Sequence, residues 1–192
     1  MKIGIDLDGV IFDSEKEYRV YSELYDILDL HKNSKIDNQE IKFQQRFNWS
    51  KEEIEGFIKK YHTKITKESN FMPGVKIVLP MLKEEGHKLY LITARGGINK
   101  DMIPVTMERL EKEHLNIFEK YYWATENKAE ICKKEEIDIM IDDSYQKCQS
   151  VAQAHIKTIY LKDAPSYDIK NNPYVQVLYN WGEIYRYIKG LE

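Results

Sequence analysis

The first thirteen residues, MKIGIDLDGVIFD, constrain the fold of this chain more than any other stretch. Residues 2–5 suit a short buried β-strand, and Asp6-Leu7-Asp8-Gly9 ends that strand with two acids and a glycine. In open α/β sheets, ligands bind outside the carboxyl ends of the strands. Because side chains alternate along an extended segment, Asp6 and Asp8 can face the same way. The sequence therefore predicts two neighbouring carboxylates at the carboxyl edge of a sheet.

Two carboxylates held this close repel each other unless a cation or a shared proton relieves the repulsion. Magnesium would relieve it, because this ion prefers carboxylate and carbonyl oxygens and commonly binds together with substrate phosphate. From these residues alone a second interpretation is equally open. In that interpretation the strand runs into an Asx-Gly turn, and Asp6 and Asp8 are simply solvated.

Two later apolar segments also end in polar side chains, and a lysine follows a third. Residues 89–93, LYLIT, suit a strand that ends in Thr93, and residues 139–143, IMIDD, suit a strand that ends in paired acids. Lys128 opens a helical stretch after the run YYWA at residues 121–124. Strands that alternate with helices favour a parallel α/β sheet.

In this order, the four stretches resemble the motifs of the haloacid dehalogenase-like (HAD) superfamily, whose first motif is DxDGV. The resemblance spans about residues 1 to 160, and the ordered set is more specific than any one motif. It implies a Rossmann-like parallel α/β sheet with a small helical cap inserted after the first strand. The first strand would be central, between the strands that end at Thr93 and Asp142.

The resemblance also implies a role for each site residue. Asp6 would be the nucleophile that accepts a phosphoryl group, and Asp8 would carry a proton to the leaving oxygen and from the attacking water. Mg²⁺ would be held by Asp6, by Asp8 through its carbonyl, and by Asp142, with Asp143 left open as the direct ligand instead of Asp142. The remaining phosphate oxygens would be bound by Thr93, Ala94 and Lys128.

Lys128 is unusual because it lies in the first turn of a predicted helix, where a cation is disfavoured. A residue that breaks a local rule suggests a function at that position. Lys128 could neutralise Asp6 and the oxygens of the transferred phosphoryl group. The alternative is an ordinary surface lysine, like Lys133 or Lys134.

Residues 14–70 differ from the rest of the chain, because they are rich in charge and tyrosine and contain no proline. Their apolar residues recur at helical spacing, and capping-box spacing predicts helix starts at Ser14 with Glu17 and at Ser50 with Glu53. Connections between a strand and a helix are normally short, so an insert of this length is better explained as a closing cap. We expect a core domain of residues 1–13 and 71–192 and a cap of residues 14–70.

Three aromatic residues of this insert, Phe43, Phe47 and Trp49, have two interpretations. They can form the apolar core of the cap itself, which is the commoner location for such side chains. Alternatively, at least one of them lines a pocket for a flat organic group. In that second interpretation Phe43 and Trp49 bind substrate, together with Arg95 after the second motif.

The motif set predicts a magnesium-dependent phosphomonoester hydrolase that acts through an aspartyl phosphate. The cap position and the continuation VIFD of the first motif are most similar to the 5'(3')-deoxyribonucleotidase branch and its bacterial nucleotidase relatives. That similarity implies a 5'-nucleotidase acting on (deoxy)nucleoside monophosphates, although Ala94-Arg95 replaces the smaller neutral residues expected there. Two alternatives are a phosphatase of another small phosphate ester, such as a sugar phosphate, and a non-catalytic phosphate-binding regulatory protein.

Composition argues against several other classes of protein. A chain of 192 residues suits one domain with a modest insertion, and a net charge of −3 without a basic stripe argues against a nucleic-acid partner. No apolar run approaches the ~18 residues of a membrane span, and acids interrupt the first one, which excludes a signal-peptide core. Cys132 and Cys148 lack metal-site spacing. We expect a cytoplasmic enzyme with a small-molecule partner and leave a homodimer open.

Overall fold

The computed structural model describes residues 1–36, 43–162 and 172–192. Residues 37–42 of the predicted cap and residues 163–171 of the predicted core therefore lie outside the described part of the chain. In chain order the elements are β1 (Lys2–Ile5), β2 (Phe12–Asp13), α1 (Glu15–Leu24), a π-helical turn (Tyr25–Asp29), α2 (Phe43–Arg46), α3 (Lys51–Glu68), β3 (Asn70–Phe71), α4 (Val75–Glu84), β4 (Lys88–Ile92), α5 (Met102–Lys112), β5 (Lys120–Tyr122), α6 (Lys128–Glu135), β6 (Ile139–Asp142), α7 (Tyr145–Ala152), β7 (Lys157–Leu161), β8 (Val175–Leu178) and α8 (Trp181–Lys189).

Six parallel strands form the main sheet, in the order β5-β4-β1-β6-β7-β8. The predicted parallel α/β sheet with β1 at its centre is confirmed. Ile5 at the end of β1 pairs with Leu91 of β4 on one side and with Ile141 of β6 on the other. The residues that follow these three strands therefore lie next to one another at the carboxyl edge of the sheet.

Burial on both faces explains why β1 is a central strand. Ile3 and Ile5 have no exposed surface, and complete burial of such a side chain is worth about 1.5–3 kcal/mol. Gly4 between them admits a close neighbour, since a Cβ there would lie 2.7 Å from the sulfur of Met140. The loop after β1 is anchored by Trp181 of α8, whose indole N–H donates to the carbonyl of Val10 at 2.8 Å.

A short antiparallel ribbon, which sequence analysis did not predict, connects the helical insert to the sheet. Phe12 of β2 pairs with Phe71 of β3, and Asp13 pairs with Asn70. The chain enters the insert through β2 and leaves it through β3, so a single pair of strands holds both ends of the insert. Strands of two residues have too little alternation for sequence periodicity to detect.

The two predicted helix starts in the insert have different outcomes. At the start of α3 the capping box is present, because Glu53 N–H donates to Ser50 Oγ at 3.3 Å and Ser50 N–H donates to Glu53 Oε2 at 2.9 Å. At the start of α1 the predicted capping box is wrong. The hydroxyl of Ser14 instead donates to Asp8 Oδ1 at 2.8 Å, because that carboxylate competes for it.

The insert has an apolar cluster of its own, separate from the cluster around the main sheet. Within it the rings of Phe47 and Trp49 stack at 4.5 Å, and those of Phe43 and Phe57 lie 4.7 Å apart. The indole N–H of Trp49 donates to Asp26 Oδ1 at 2.8 Å.

None of the described helices combines the length and the apolar character that crossing a membrane requires.

Candidate active site at the carboxyl edge of the sheet

The ends of β1, β4 and β6 and the start of α6 border a cavity of about 250 Å³. Part of its wall comes from the helical insert, through Glu15, Tyr18 and Phe43. The cavity brings together the residues that the sequence predicts for catalysis, phosphate binding and metal binding, namely Asp6, Asp8, Thr93, Ala94, Lys128 and Asp142.

Lys128 connects two of the acids. Its ammonium lies 2.9 Å from Asp6 Oδ1 and 2.5 Å from Asp142 Oδ2, and its side chain is only 3% exposed. Asn127 caps α6 by accepting from Glu130 N–H at 3.3 Å, which fixes Lys128 in the first turn. Burial alone lowers the pKa of Lys128, but the two carboxylates outweigh burial and raise the pKa above its usual value. Lys128 is therefore a cation at neutral pH.

Asp6, Asp142 and Asp143 form an acidic trio, with carboxylate oxygens that lie within 4.8 Å of one another. Burial raises the pKa of Asp6 to about 6, with Lys128 opposing this shift and Asp142 adding to it. Loss of hydration beside protein atoms and repulsion from Asp142 and Asp6 raise the pKa of Asp143 well above its usual range. Ionisation of one acid of the trio therefore opposes ionisation of the others.

The charge and donor set of this trio fit a divalent cation. When all three carboxylates are ionised, they and the ammonium of Lys128 carry a net charge of −2, which a divalent cation would relieve, and oxygen ligands are those that Mg²⁺ prefers. Both oxygens of Asp142 are already bonded, one to Lys128 and the other to Ser144 N–H at 2.8 Å. No described residue donates to Asp143, whose carboxylate is therefore the less constrained of the two.

Gly9 makes room for Asp143 beside the first motif. Its φ of +72° lies in the left-handed region, which glycine adopts without strain. A Cβ at this position would lie 2.3 Å from Asp143 Oδ2. Conformation and space both require a glycine after Asp8.

Asp8 accepts hydrogen bonds on both carboxylate oxygens. Arg95 donates from Nε to Oδ2 at 3.1 Å and from Nη2 to Oδ1, and Ser14 Oγ donates to Oδ1 at 2.8 Å. Burial raises the pKa of Asp8, but Arg95 outweighs burial and lowers the pKa to about 2. Arg95, which the sequence predicts to bind substrate, lies against this acid with a side chain that is 0% exposed.

Thr93 is fixed by its backbone at the end of β4. Its N–H donates to the carbonyl of Tyr122 at 2.9 Å, and its own carbonyl accepts from Thr125 N–H at 2.8 Å. The hydroxyl oxygen accepts from Arg95 N–H at 3.2 Å. Among the described residues no acceptor takes the hydroxyl proton, so this proton can be donated to a ligand in the cavity.

A second cavity of about 220 Å³ adjoins the first on the side of the insert. The two cavities share Asp8, Ala94 and Arg95 from the core and Tyr18 and Phe43 from the insert. Phe43 therefore belongs both to the apolar cluster of the insert and to the cavity wall. Trp49, the other aromatic residue that the sequence predicts to bind substrate, lines neither of these two cavities.

Sequence analysis did not single out His62, which also lines the second cavity. Its side chain is largely buried, and Nε2 is hydrogen-bonded to the hydroxyl of Tyr18, whereas Nδ1 has no partner among the described residues. Burial lowers the pKa of His62 to about 4, so the ring is neutral at neutral pH. A polar residue four positions after Ile58, on the apolar face of a helix, is a signal that could have identified it.

Comparison with known proteins identifies related structures rather than related sequences. No protein-family model matches this chain, and the curated proteins contain no match. A haloacid dehalogenase-like family hydrolase from Streptococcus pneumoniae is similar in structure, with a TM-score of 0.74, 20% identity and 97% of each chain covered. A protein described as a predicted phosphatase from Clostridium acetobutylicum has a TM-score of 0.73 and 17% identity, with 98% of each chain covered.

A third structure, described as a predicted phosphoglycolate phosphatase from Haemophilus somnus, has a TM-score of 0.66 and 17% identity. That similarity covers 97% of this chain and 96% of the other. Each similarity extends over nearly the whole of both chains and therefore includes the helical insert as well as the sheet. This chain has the α/β fold of the haloacid dehalogenase-like hydrolases.

Proposed function

We propose that this protein is a magnesium-dependent phosphomonoester hydrolase that acts on a small phosphate ester through an aspartyl phosphate. The observation that carries the proposal is the arrangement around the first cavity. The carboxylate of Asp6 lies beside the ammonium of Lys128, and the acidic trio borders the same space as the hydroxyl of Thr93. This combination supplies a nucleophile, an oxyanion ligand and a cation site in one place.

In the first proposed step, a carboxylate oxygen of Asp6 attacks phosphorus, and the bond between phosphorus and the leaving oxygen breaks. Asp8, which is ionised in the free protein, takes up a proton from solvent as the anionic ester binds beside it, and donates this proton to the leaving oxygen. In the second step, Asp8 takes a proton from a water molecule, whose oxygen attacks the phosphorus of the aspartyl phosphate. Inorganic phosphate leaves and the carboxylate of Asp6 is restored.

The other residues of the cavity reduce the repulsion between an anionic nucleophile and an anionic ester. Lys128, the hydroxyl of Thr93 and the backbone of Ala94 would bind nonbridging phosphate oxygens. A magnesium ion held by Asp6, by the carbonyl of Asp8 and by Asp142 or Asp143 would neutralise further charge on the transferred group.

The helical insert would act as a cap over this site. Tyr18, Phe43 and His62 of the insert line the cavities, and the ribbon of β2 and β3 lies where the insert begins and ends. These contacts support a division into a core of residues 1–13 and 71–192 and a cap of residues 14–70. Such a cap would exclude water and select the leaving group.

A small phosphate ester, such as a sugar phosphate, is the substrate class that we favour. One of the similar structures is described as a predicted phosphoglycolate phosphatase. Trp49, a candidate for stacking on a nucleotide base, is instead hydrogen-bonded to Asp26 within the insert and lines neither cavity. A nucleoside monophosphate is the second candidate, because the ring of Phe43 borders both cavities. A base could pack against that ring.

The test of the proposal is hydrolysis of p-nitrophenyl phosphate by the purified protein, with magnesium and after its removal by a chelator. We expect turnover only with the metal. Sugar phosphates and nucleoside monophosphates compared at equal concentration then separate the two substrate classes. If inorganic phosphate binds but none of these esters is hydrolysed, the protein is instead a non-catalytic phosphate-binding protein.

Replacing Lys128 by methionine should lower kcat by about 10²–10³-fold, because an electrostatic ligand of the transferred phosphoryl group is lost. The variant also leaves Asp6 and Asp142 without their shared counter-ion. Steady-state kinetics at saturating substrate measure the effect. Lys133→Met, an exposed lysine on the same helix, is the matched control. Equal kinetics for both variants would make Lys128 a structural residue.

Replacing Phe43 by leucine tests the nucleotide candidate. Stacking of a base on an aromatic ring is worth roughly 1–3 kcal/mol, so kcat/KM for nucleoside monophosphates should fall by about 5- to 150-fold while p-nitrophenyl phosphate is almost unaffected. Phe47→Leu is the control, because Phe47 belongs to the same apolar cluster but lines neither cavity. A wild-type preference for sugar phosphates over every nucleotide tested would exclude this candidate.

A further inference from the structure

The guanidinium of Arg95 lies at the junction of the two cavities, yet protein groups already bind each of its three nitrogens. Nε and Nη2 donate to the two oxygens of Asp8, and Nη1 donates to Thr106 Oγ1 at 2.9 Å. The charge also lies over the ring of Phe12, 5.2 Å from its centre. These bonds use three of the five N–H groups of the guanidinium. The side chain is also 0% exposed, so an anionic substrate could reach the other two N–H groups only after the site rearranges.

The contacts to Asp8 are unequal on its two oxygens. Oδ1 accepts from Ser14 and from Arg95, whereas Oδ2 accepts only from Arg95 Nε. A carboxylate oxygen offers two acceptor positions. Oδ1 is thus fully occupied, and Oδ2 is the oxygen that retains a position for a proton.

Arg95 is itself held from two sides, so it can impose a fixed orientation on Asp8. Thr106 of α5 accepts from Nη1 and in turn donates its hydroxyl proton to the carbonyl of Met102 at 2.7 Å. The backbone N–H of Arg95 donates to Thr93 Oγ1 at 3.2 Å. A continuous series of hydrogen bonds therefore leads from α5 through Arg95 to the carboxylate.

We propose that Arg95 is a positioning residue for Asp8 rather than a ligand of the substrate, and that it directs Oδ2 toward the oxygen of the leaving group. This inference rests on the phosphatase function proposed above. As the bond between phosphorus and the leaving oxygen breaks, the proton on Oδ2 passes to that oxygen. Ser14 and Arg95 hold the other oxygen in place.

The proposal predicts a dependence on the leaving group. An alkoxide is a poor leaving group and needs a well-placed proton, whereas p-nitrophenolate leaves without one. If Asp8 loses its orientation, alkyl phosphates should therefore be affected far more than p-nitrophenyl phosphate. A residue that binds substrate would instead change KM for both kinds of ester.

The experiment compares Arg95→Met, Arg95→Lys and Thr106→Val with wild type on phenyl phosphates of graded leaving-group acidity and on an alkyl phosphate. General acid catalysis is worth about 10²–10⁴-fold in total, and we expect Arg95→Met to lose about 10–100-fold more kcat on the alkyl ester than on p-nitrophenyl phosphate. Arg95→Lys should show the same selectivity, because an ammonium cannot bond both oxygens in the planar arrangement. Thr106→Val should show a smaller loss of kcat in the same direction. Thr106→Ser keeps the hydroxyl and should have the kcat of wild type on both esters.

An equal loss on all esters together with a raised KM would overturn the proposal and make Arg95 a substrate ligand. Faster hydrolysis of alkyl esters by Arg95→Met would also overturn the proposal, because Arg95 would then hinder proton transfer from Asp8 instead of favouring it. If Arg95→Met does not fold, as judged by circular dichroism and thermal unfolding, Arg95→Lys and Thr106→Val decide the question. Absence of turnover by wild type on every ester would instead refute the phosphatase function itself.

Discussion

Asp6→Asn should abolish hydrolysis of every phosphate ester, with a loss in kcat of at least about 10⁴-fold, as when other covalent nucleophiles are removed. An amide oxygen is a much weaker nucleophile than a carboxylate oxygen, and the change alters neither the size of the side chain nor the strand that precedes it. The measurement is the initial rate on p-nitrophenyl phosphate at saturating magnesium. Retention of near-normal, magnesium-dependent hydrolysis would refute the covalent mechanism.

Asp13→Asn is the matched control for that experiment. Asp13 also follows the first strand, but it lies in β2 and its carboxylate pairs with Lys16 at 2.6 Å. We expect its kinetics to stay within a few-fold of wild type. Thermal unfolding of both variants separates a loss of chemistry from a loss of folded protein. A comparable loss of activity in Asp13→Asn would mean that the loop, rather than the nucleophile, is responsible.

Asp8→Asn should lower kcat on alkyl phosphates by about 10²–10⁴-fold, which is the usual worth of general acid–base catalysis. Because Asp8 is proposed to approach the metal through its backbone carbonyl, the magnesium concentration needed for half-maximal rate should hardly change. Measuring kcat across a magnesium titration tests both statements. A large increase in the magnesium requirement with little loss of kcat would assign the side chain of Asp8 to metal binding instead of proton transfer.

The fold could be predicted from local sequence signals that agree with one another. Apolar runs that end in Asp6, Thr93 and Asp142 indicate strands with their carboxyl ends at one edge, and the parallel pairing of β1 with β4 and β6 follows that pattern. Lys128 stands out in the sequence because it contradicts a local helix preference, and in the structure its ammonium lies between two acids. A residue whose position conflicts with local preference was thus the informative one.

Contacts between distant residues could not be predicted in the same way. Nothing in the sequence near Arg95 indicates that its guanidinium binds an acid 87 positions earlier in the chain. Ser14 has the spacing of a helix cap, but competition from Asp8 decides where its hydroxyl bonds. Phe43, Phe47 and Trp49 look alike in the sequence, and only tertiary packing determines that Phe43 borders the cavities.

The central claim, a phosphoryl group carried by Asp6, is tested most directly in the Asp8→Asn variant with p-nitrophenyl phosphate. The first step needs little proton donation with this leaving group, whereas the second step loses the base that activates water. The account predicts a burst of p-nitrophenolate equal to the enzyme concentration. It also predicts a phosphoryl group on Asp6, detected by mass spectrometry of the acid-quenched amino-terminal peptide. Slow release without a burst, and an unmodified Asp6 throughout turnover, would contradict it.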